Sequence, residues 1–351
     1  MKRWLRYGVA VLAVAFLVLT LVNASWLAPK PVGAPKLIAH RGLSQLYDKT
    51  GVGRDTCTAD RIEQPVHTYL ENTIDSVLRA HKLGAWAVEV DIAPTADGEL
   101  VVFHDWTLDC RTEGKGEVRD ATLEELKALD VGYGYTADGG KIFPFRGHFV
   151  GAMPTFEDVA QALPPRGRLM INFKSKNPAE ADLVAAKLAA VGRDPAKTGD
   201  GFYGHAGPVG RIRELHPDAW AWEQAGAKAC SKDYVAYGWT GYLPESCRGG
   251  TMVIPLNYQW AFWGWPNRLI ARMEEHGGRV LVVGPIGDNR PRGLDLPEQL
   301  GEIPASFNGY VWVEDGWAIL PALFERNDTR TAEEFERLQA GLERRRARHG
   351  D

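Results

Sequence analysis

Ala87-Val88-Glu89-Val90-Asp91-Ile92 is the stretch from which the fold is read. Ala87, Val88, Val90 and Ile92 flank two acidic residues, and the stretch reads as a buried strand. Glu89 and Asp91 stand two apart, so a strand turns both carboxylates to one face. Downstream, Thr95-Ala96-Asp97-Gly98 is a hairpin signal leading into a strand-like Leu100–Phe103. Upstream, Asn72–Leu83 is expected to be a helix, with Ile74, Val77, Leu78 and Leu83 at helical spacing and Gly84 as its stop. Leu37-Ile38-Ala39 reads as an earlier strand. Later ones are expected at Leu169–Phe173, Ala219–Trp222, Met252–Leu256, Val280–Val283 and Tyr310–Val313, with helices over Ala179–Val191 and near Arg268–His276. Strands alternating with helices imply an α/β chain with βαβ units, and about eight strands suit a closed (β/α)8 TIM barrel.

The 351 residues are 45% apolar, 25% charged and 10% aromatic, which excludes disorder, collagen and a polytopic membrane protein. Lys and Arg number 41 against 45 Asp and Glu, a net charge of −4, so no nucleic-acid partner is expected. The N-terminus differs from the rest. Lys2, Arg3 and Arg6 precede 23 uncharged residues, Tyr7–Pro29, a pattern shared by signal peptides and signal anchors. Val22-Asn23-Ala24 permits cleavage before Ser25. Leu5–Leu27 is equally long enough to cross a hydrocarbon core of ~30 Å uncut. The leading positive charges place everything after the span on the extracytoplasmic side, membrane-anchored or secreted. The expected order is anchor or signal over 1–27, a Pro-rich linker over 28–35, the barrel over 36–325 and a C-terminal helix over 326–351. The basic end of that helix, Arg344, Arg345, Arg346 and Arg348, would complement its dipole. Cys57, Cys110, Cys230 and Cys247 suit an oxidising compartment and permit three pairings.

Active groups of a parallel barrel sit at strand carboxyl ends. His40-Arg41-Gly42 follows the first strand, Glu89 and Asp91 lie in the second, His104-Asp105 follows Phe103, and Asn172 and Lys174 close the strand Leu169–Phe173. Singly, each has an ordinary reading: a lone His after a strand is commonly structural, and Glu-x-Asp is commonly a solvated face. Together they suggest a site. A buried acidic pair is costly unless a cation compensates it, and oxygen ligands select Mg2+ or Ca2+. Such an ion with Arg41 and Lys174 makes an anion pocket, and two imidazoles can divide acid and base roles near neutral pH.

Eight pieces in order resemble the glycerophosphodiester phosphodiesterases over nearly all of the exported part: His40-Arg41-Gly42, Glu71-Asn72-Thr73, Glu89-Val90-Asp91, Asp97-Gly98, Val101–Asp105, Leu108 with Arg111-Thr112, Met153–Val159 and Ile171–Lys174. The resemblance implies a TIM-barrel hydrolase that cuts glycerophosphodiesters to glycerol 3-phosphate and an alcohol. It implies acid–base work by His40 and His104, metal held by Glu89 and Asp91, phosphate contacts from Arg41 and Lys174, and Glu71 and Asn72 lining the site. Three departures stand out. Asn172 occupies the place of a third metal-binding Glu, so its neutral amide oxygen would be the ligand, with Glu223 as a candidate replacement for the lost charge. A 28-residue insert separates Gly42 from Glu71 and carries Cys57, which a bond to Cys110 would pin as a lid. The Trp-Thr-Val-Asn of the family is replaced by Val283-Gly284-Pro285-Ile286. An aromatic run, Tyr258, Trp260, Phe262, Trp263 and Trp265, is either core or a lipid-contacting loop, the latter favouring lysophospholipid substrates. Two alternatives accompany this reading: a lysophospholipase-D-like enzyme, and a non-catalytic envelope binding protein on the same barrel.

Overall fold

The computed structural model describes residues 2–53, 56–287 and 292–349. Its strands are β1 (Lys36–Ala39), β2 (Ala87–Pro94), β3 (Leu100–Val102), β4 (Leu169–Phe173), β5 (Gly201–Gly204), β6 (Trp220–Glu223), β7 (Thr251–Pro255), β8 (Arg279–Val283) and β9 (Tyr310–Val313). The chain groups into two compact units. The larger comprises Leu37–Glu223, Gly293–Pro297 and Val313–Asp351; the smaller comprises Met1–Lys36, Gln224–Arg292 and Glu298–Trp312. In the larger unit, parallel strands run in the order β6-β5-β4-β2-β1. In the smaller, β7, β8 and β9 are parallel neighbours. Parallel strands alternating with helices, preceded by an apolar helix over Lys2–Asn23, make this the (β/α)8 class expected from the sequence.

Two strand assignments need correction, and they offset each other. Leu100–Phe103 is not a barrel strand: β3 runs antiparallel to the end of β2, pairing Ile92 with Val102 and Pro94 with Leu100, and so completes the hairpin. The strand it displaces from the count is β5, Gly201-Phe202-Tyr203-Gly204, where two glycines hide the β signal. Both are needed for close approach. A Cβ on Gly201 would stand 2.6 Å from the Met170 side chain, and one on Gly204 (φ +141°) would stand 2.1 Å from the Phe173 carbonyl oxygen.

The helix expected from Asn72 begins at Ile74. Thr73 caps it, its hydroxyl accepting from the Ser76 amide, and Gly84 ends it at φ 112°. Asn72 is excluded because it sits at φ 59°, outside helical space. The C-terminal helix spans Ala332–His349. Arg345, in the basic end of this helix, faces inward. It is buried, with ion pairs to Asp315 (2.8 Å) and Glu63 (3.2 Å). The Arg348 side chain lies outside the described residues. The cysteines pair as Cys57–Cys110 and Cys230–Cys247.

Candidate active site

β2 is buried along its length apart from Pro94, with Glu89 at 0% and Asp91 at 1% exposure, so both carboxylates lie inside the larger unit. Strand pairing sets what surrounds them. Asp91 stands opposite Asn172 across β2–β4, and Asn172 opposite Tyr203 across β4–β5. The Tyr203 hydroxyl donates to Glu89 Oε1 at 2.7 Å, and the Arg41 amide donates to Oε2 at 3.0 Å. The turn after β1 thus caps Glu89 through its backbone. That turn needs Arg41 at φ 59°, in the left-handed region a side chain rarely adopts. Of the described non-glycine residues only Arg41 and Asn72 do so, and both face Asp91. Backbone strain is concentrated where the acidic pair is held.

Asp91 is ringed by donors. The Asn172 amide nitrogen donates to Oδ1 at 2.8 Å, the Asn72 amide nitrogen to Oδ2 at 3.2 Å, and Asn72 Oδ1 accepts the Asp91 amide. Arg41 Nε lies 3.3 Å from Oδ2 and Lys174 Nζ 3.8 Å from Oδ1. Lys174 also donates to the His104 carbonyl. Burial pushes the Asp91 carboxyl up, but Lys174, His104 and Arg41 together hold it well below the usual range. Glu89 moves the other way, raised by burial and by the neighbouring Asp91 charge.

A chain of alternating charges leads from here to the second imidazole. Arg41 meets Glu71 at 3.0 Å, Glu71 meets Arg111 at 3.2 Å, Arg111 Nε meets Asp105 at 3.0 Å, and Asp105 accepts from His104 Nδ1 at 2.6 Å. Arg111 is seated by the Tyr135 hydroxyl (2.8 Å) and Thr58 Oγ1 (2.9 Å). Thr58 belongs to the insert, which packs Ala59, Ile62 and Leu70 against Tyr135 and Phe145 and is tied by Cys57–Cys110; Arg54 and Asp55 of the insert lie outside the described residues.

Each histidine has a carboxylate on Nδ1. For His40 it is Glu314, at 3.1 Å, just past β9, and His40 Nε2 lies 3.9 Å from Glu89. Their surroundings separate them. Burial is the largest cause at both and lowers them, yet Glu314 and Glu89 together overcome it at His40, whose pKa is raised, while Arg41 and Lys174 add to it at His104, which falls to about 4. Glu314 is itself held well below the usual carboxylate range against its burial, by His40 first. Its other oxygen accepts the Gly293 amide at 3.2 Å.

Glu314, Asp105, Arg111 and Tyr203 were not singled out from the sequence for the site. Asp105, next to His104, was the accessible clue; Glu314 lies 274 residues from its histidine and had none. Glu223, the candidate replacement for the lost charge, pairs with Arg213 at 3.0 Å. The aromatic run divides, with Phe262 buried and Tyr258, Trp260 and Trp263 exposed. Beside Tyr203, Trp222 stacks at 4.9 Å, its indole N–H buried without an acceptor.

Among the described residues no group of three or more His, Cys, Asp or Glu side chains is disposed to hold a metal ion. The residues expected from the sequence to hold a hard cation would offer it two carboxylates, Glu89 and Asp91, and the amide oxygen of Asn172 on the neighbouring strand. That amide is oriented by its nitrogen, which is bonded to Asp91, leaving the oxygen as the free end. Such a set, all oxygen donors, would suit a hard cation and would bring it two negative charges rather than three.

Residues 40–196 match the glycerophosphoryl diester phosphodiesterase family. A glycerophosphodiester phosphodiesterase of Caldanaerobacter subterraneus is 55% identical over 62 residues, 18% of this chain and 26% of that protein. One of Bacillus altitudinis is 35% identical over 109 residues, 31% of this chain and 41% of that one. The alignments thus reach a quarter to two-fifths of these relatives' length. Among solved structures, the glycerophosphoryl diester phosphodiesterase domain of a Mycobacterium tuberculosis protein superposes with a TM-score of 0.59 at 17% identity, over 84% of this chain and all of that one. A glycerophosphodiester phosphodiesterase from Agrobacterium tumefaciens gives 0.52 at 21% identity, over 83% and 99%. At these identities the likeness concerns the fold.

Proposed function

We propose that the chain, whose residues 40–196 match the glycerophosphoryl diester phosphodiesterase family, is a member of it and hydrolyses glycerophosphodiesters to glycerol 3-phosphate and an alcohol. The observation that carries this reading is the pair of imidazoles, each with a carboxylate on Nδ1, beside the Glu89–Asp91 pair: His40 Nε2 lies 3.9 Å from Glu89, and ion pairs through Arg111 and Glu71 link Asp105, the partner of His104, to Arg41 at Asp91. Nδ1–H given to a carboxylate leaves Nε2 of each ring for proton transfer. One histidine takes the proton of the glycerol 2-hydroxyl as it attacks phosphorus, and the other protonates the departing alkoxide. Water then opens the cyclic phosphate, with the two roles reversed. Arg41 and Lys174 supply positive charge for the phosphoryl oxygens. Glu71 and Asn72 orient Arg41 and Asp91. A divalent cation, Mg2+ or Ca2+, would be held by Glu89, Asp91 and the Asn172 amide oxygen, and when bound would neutralise charge on the phosphoryl group. Export is supported by the N-terminal apolar helix and both disulfides, with the helix either kept as an anchor or removed as a signal.

The test is glycerol 3-phosphate release from glycerophosphocholine, with Mg2+ or Ca2+ and with chelator. Turnover abolished by His40→Ala and by His104→Ala, in folded variants, is the expected result. Choline release confined to lysophosphatidylcholine would replace this reading with the lysophospholipase-D-like one. No turnover on either substrate would leave a binding protein.

A further inference from the structure

The foot of the N-terminal helix is built into the smaller unit. Along Arg3–Asn23 the helix has a mean hydropathy of 2.3 and its apolar window is 0% buried. At its end the situation reverses. Arg272, only 9% exposed, donates to the Val22 carbonyl at 2.8 Å, to Asn23 Oδ1 at 3.0 Å and to the Tyr234 hydroxyl at 2.8 Å. A guanidinium there satisfies a carbonyl the helix leaves unpaired and meets the negative end of its dipole. Asn23 donates to the Trp239 carbonyl at 2.7 Å, Ala24 is buried, and Ser25 Oγ accepts the Asn267 amide at 3.0 Å. Cleavage before Ser25 would take Val22 and Asn23 away from a buried cation and leave it short of partners, a costly state.

Large aromatic side chains stand exposed around this joint. Trp26 is 73% exposed, Tyr242 53%, Trp263 44% and Trp239 43%. They sit beside the foot by contact: Trp239 supplies the carbonyl that Asn23 binds, a Cβ on Gly241 would meet Val22 at 2.3 Å, and one on Gly264 would come within 3.4 Å of the Asn23 carbonyl oxygen. Exposed Trp and Tyr at the end of an apolar helix match the headgroup layer, where an apolar ring and a polar N–H or O–H are both accommodated.

We infer that the helix is retained as a membrane anchor and that Trp26, Trp239, Tyr242 and Trp263 form a collar seated in the headgroup layer of a lipid bilayer, docking the smaller unit on that surface. This does not depend on the phosphodiesterase reading. The full-length chain with a C-terminal tag, expressed in an exporting bacterial host, is expected in carbonate-washed membranes with its N-terminus intact by mass spectrometry. A mature chain starting at Ser25 overturns the retained anchor. For the collar, full-length protein carrying Trp4→Phe is reconstituted in phosphatidylcholine–phosphatidylglycerol vesicles with lipid brominated near the headgroup. Adding Trp26→Phe, Trp239→Phe and Trp263→Phe keeps the apolar bulk and removes the reporters, so most of the tryptophan quenching should disappear. Equal quenching before and after those changes overturns the collar.

Discussion

Glu314 decides how His40 is presented. Its carboxylate holds Nδ1 while its second oxygen is fixed by the Gly293 amide, so the ring has one tautomer and one orientation. Glu314→Gln keeps the shape and removes the charge. We expect kcat to fall by roughly 10–100-fold with KM little changed, since such supporting partners act on the reacting ring rather than on binding. Glu314→Asp should recover part of the loss; a kcat unchanged in the Gln variant would remove Glu314 from the machinery. Asn172 is the complementary case. Converting it to Asp puts a third carboxylate beside Asp91, across the β2–β4 register. Calorimetric titration with Mg2+ or Ca2+ should then show tighter binding by the variant, and equal affinities would place the ion elsewhere. Both residues show what a sequence can reveal at this scale. His40, Glu89, Asp91 and His104 were legible because short motifs place each within a strand or just after one. Glu314 was not, because its partner is remote in sequence and nearby only after folding.

At the scale of elements, strand pairing brings the site together, and the insert braces it. β2 carries the acidic pair, β4 sets Asn172 opposite Asp91, and β5 sets Tyr203 beyond Asn172. Most of these strands could be read from apolar runs. β5 could not, because the close packing that demands Gly201 and Gly204 also removes the residues by which a strand is recognised. The sharpest dependence is on residues 43–70. They supply Thr58, which with Tyr135 seats Arg111 between Glu71 and Asp105, and Cys57–Cys110 ties that segment 53 residues along the chain. Replacing both cysteines by serine is expected to cost about 2–4 kcal/mol of stability in the loop-closure account. It should also lower activity through Asp105 and His104, measured by denaturant midpoint and by kcat under oxidising conditions. A variant as stable as the parent would mean the insert's own core, Ala59, Ile62 and Leu70 against Tyr135 and Phe145, holds it without the bond.

For the molecule as a whole, the buried histidines set the acid limit of stability. His67 falls to about 4, burial being the main cause. Its Nδ1 accepts the Tyr69 amide at 3.2 Å, rings of Tyr69 and Trp317 lie at 5.9 and 5.3 Å, and Asp315 and Arg345 act on it with opposite signs. His81 and His104 also fall to about 4, burial being the first cause at each. The sign follows from which state binds the proton first. Above the unfolded pKa near 6.5 both states are neutral at these rings and nothing is lost. Between about 6.5 and 4 the unfolded chain protonates while the folded one does not, so stability falls as pH falls, by about 3 kcal/mol for His67 alone at the lower end. His40, raised by Glu314, and Glu89, raised by burial and Asp91, act in the opposite sense: the share of His40 is present below pH 6.5 and lost as pH rises through its folded value, and the penalty at Glu89 is relieved as pH falls from about 7. The carboxylates held low by cations, Glu71, Asp91 and Asp105 among them, protect the fold above their unfolded values and give way only in stronger acid. With three lowered histidines outweighing His40 and Glu89, the first loss on acidification is expected between pH 6.5 and 4, before the low-held carboxylates titrate, and urea midpoints of the detergent-solubilised protein at pH 7.5, 5.5 and 4.5 measure it. His67→Gln should flatten that slope, since the amide takes no proton in either state. A midpoint constant from 7.5 to 4.5 would mean His67 and His81 gain protons within the fold as readily as outside it.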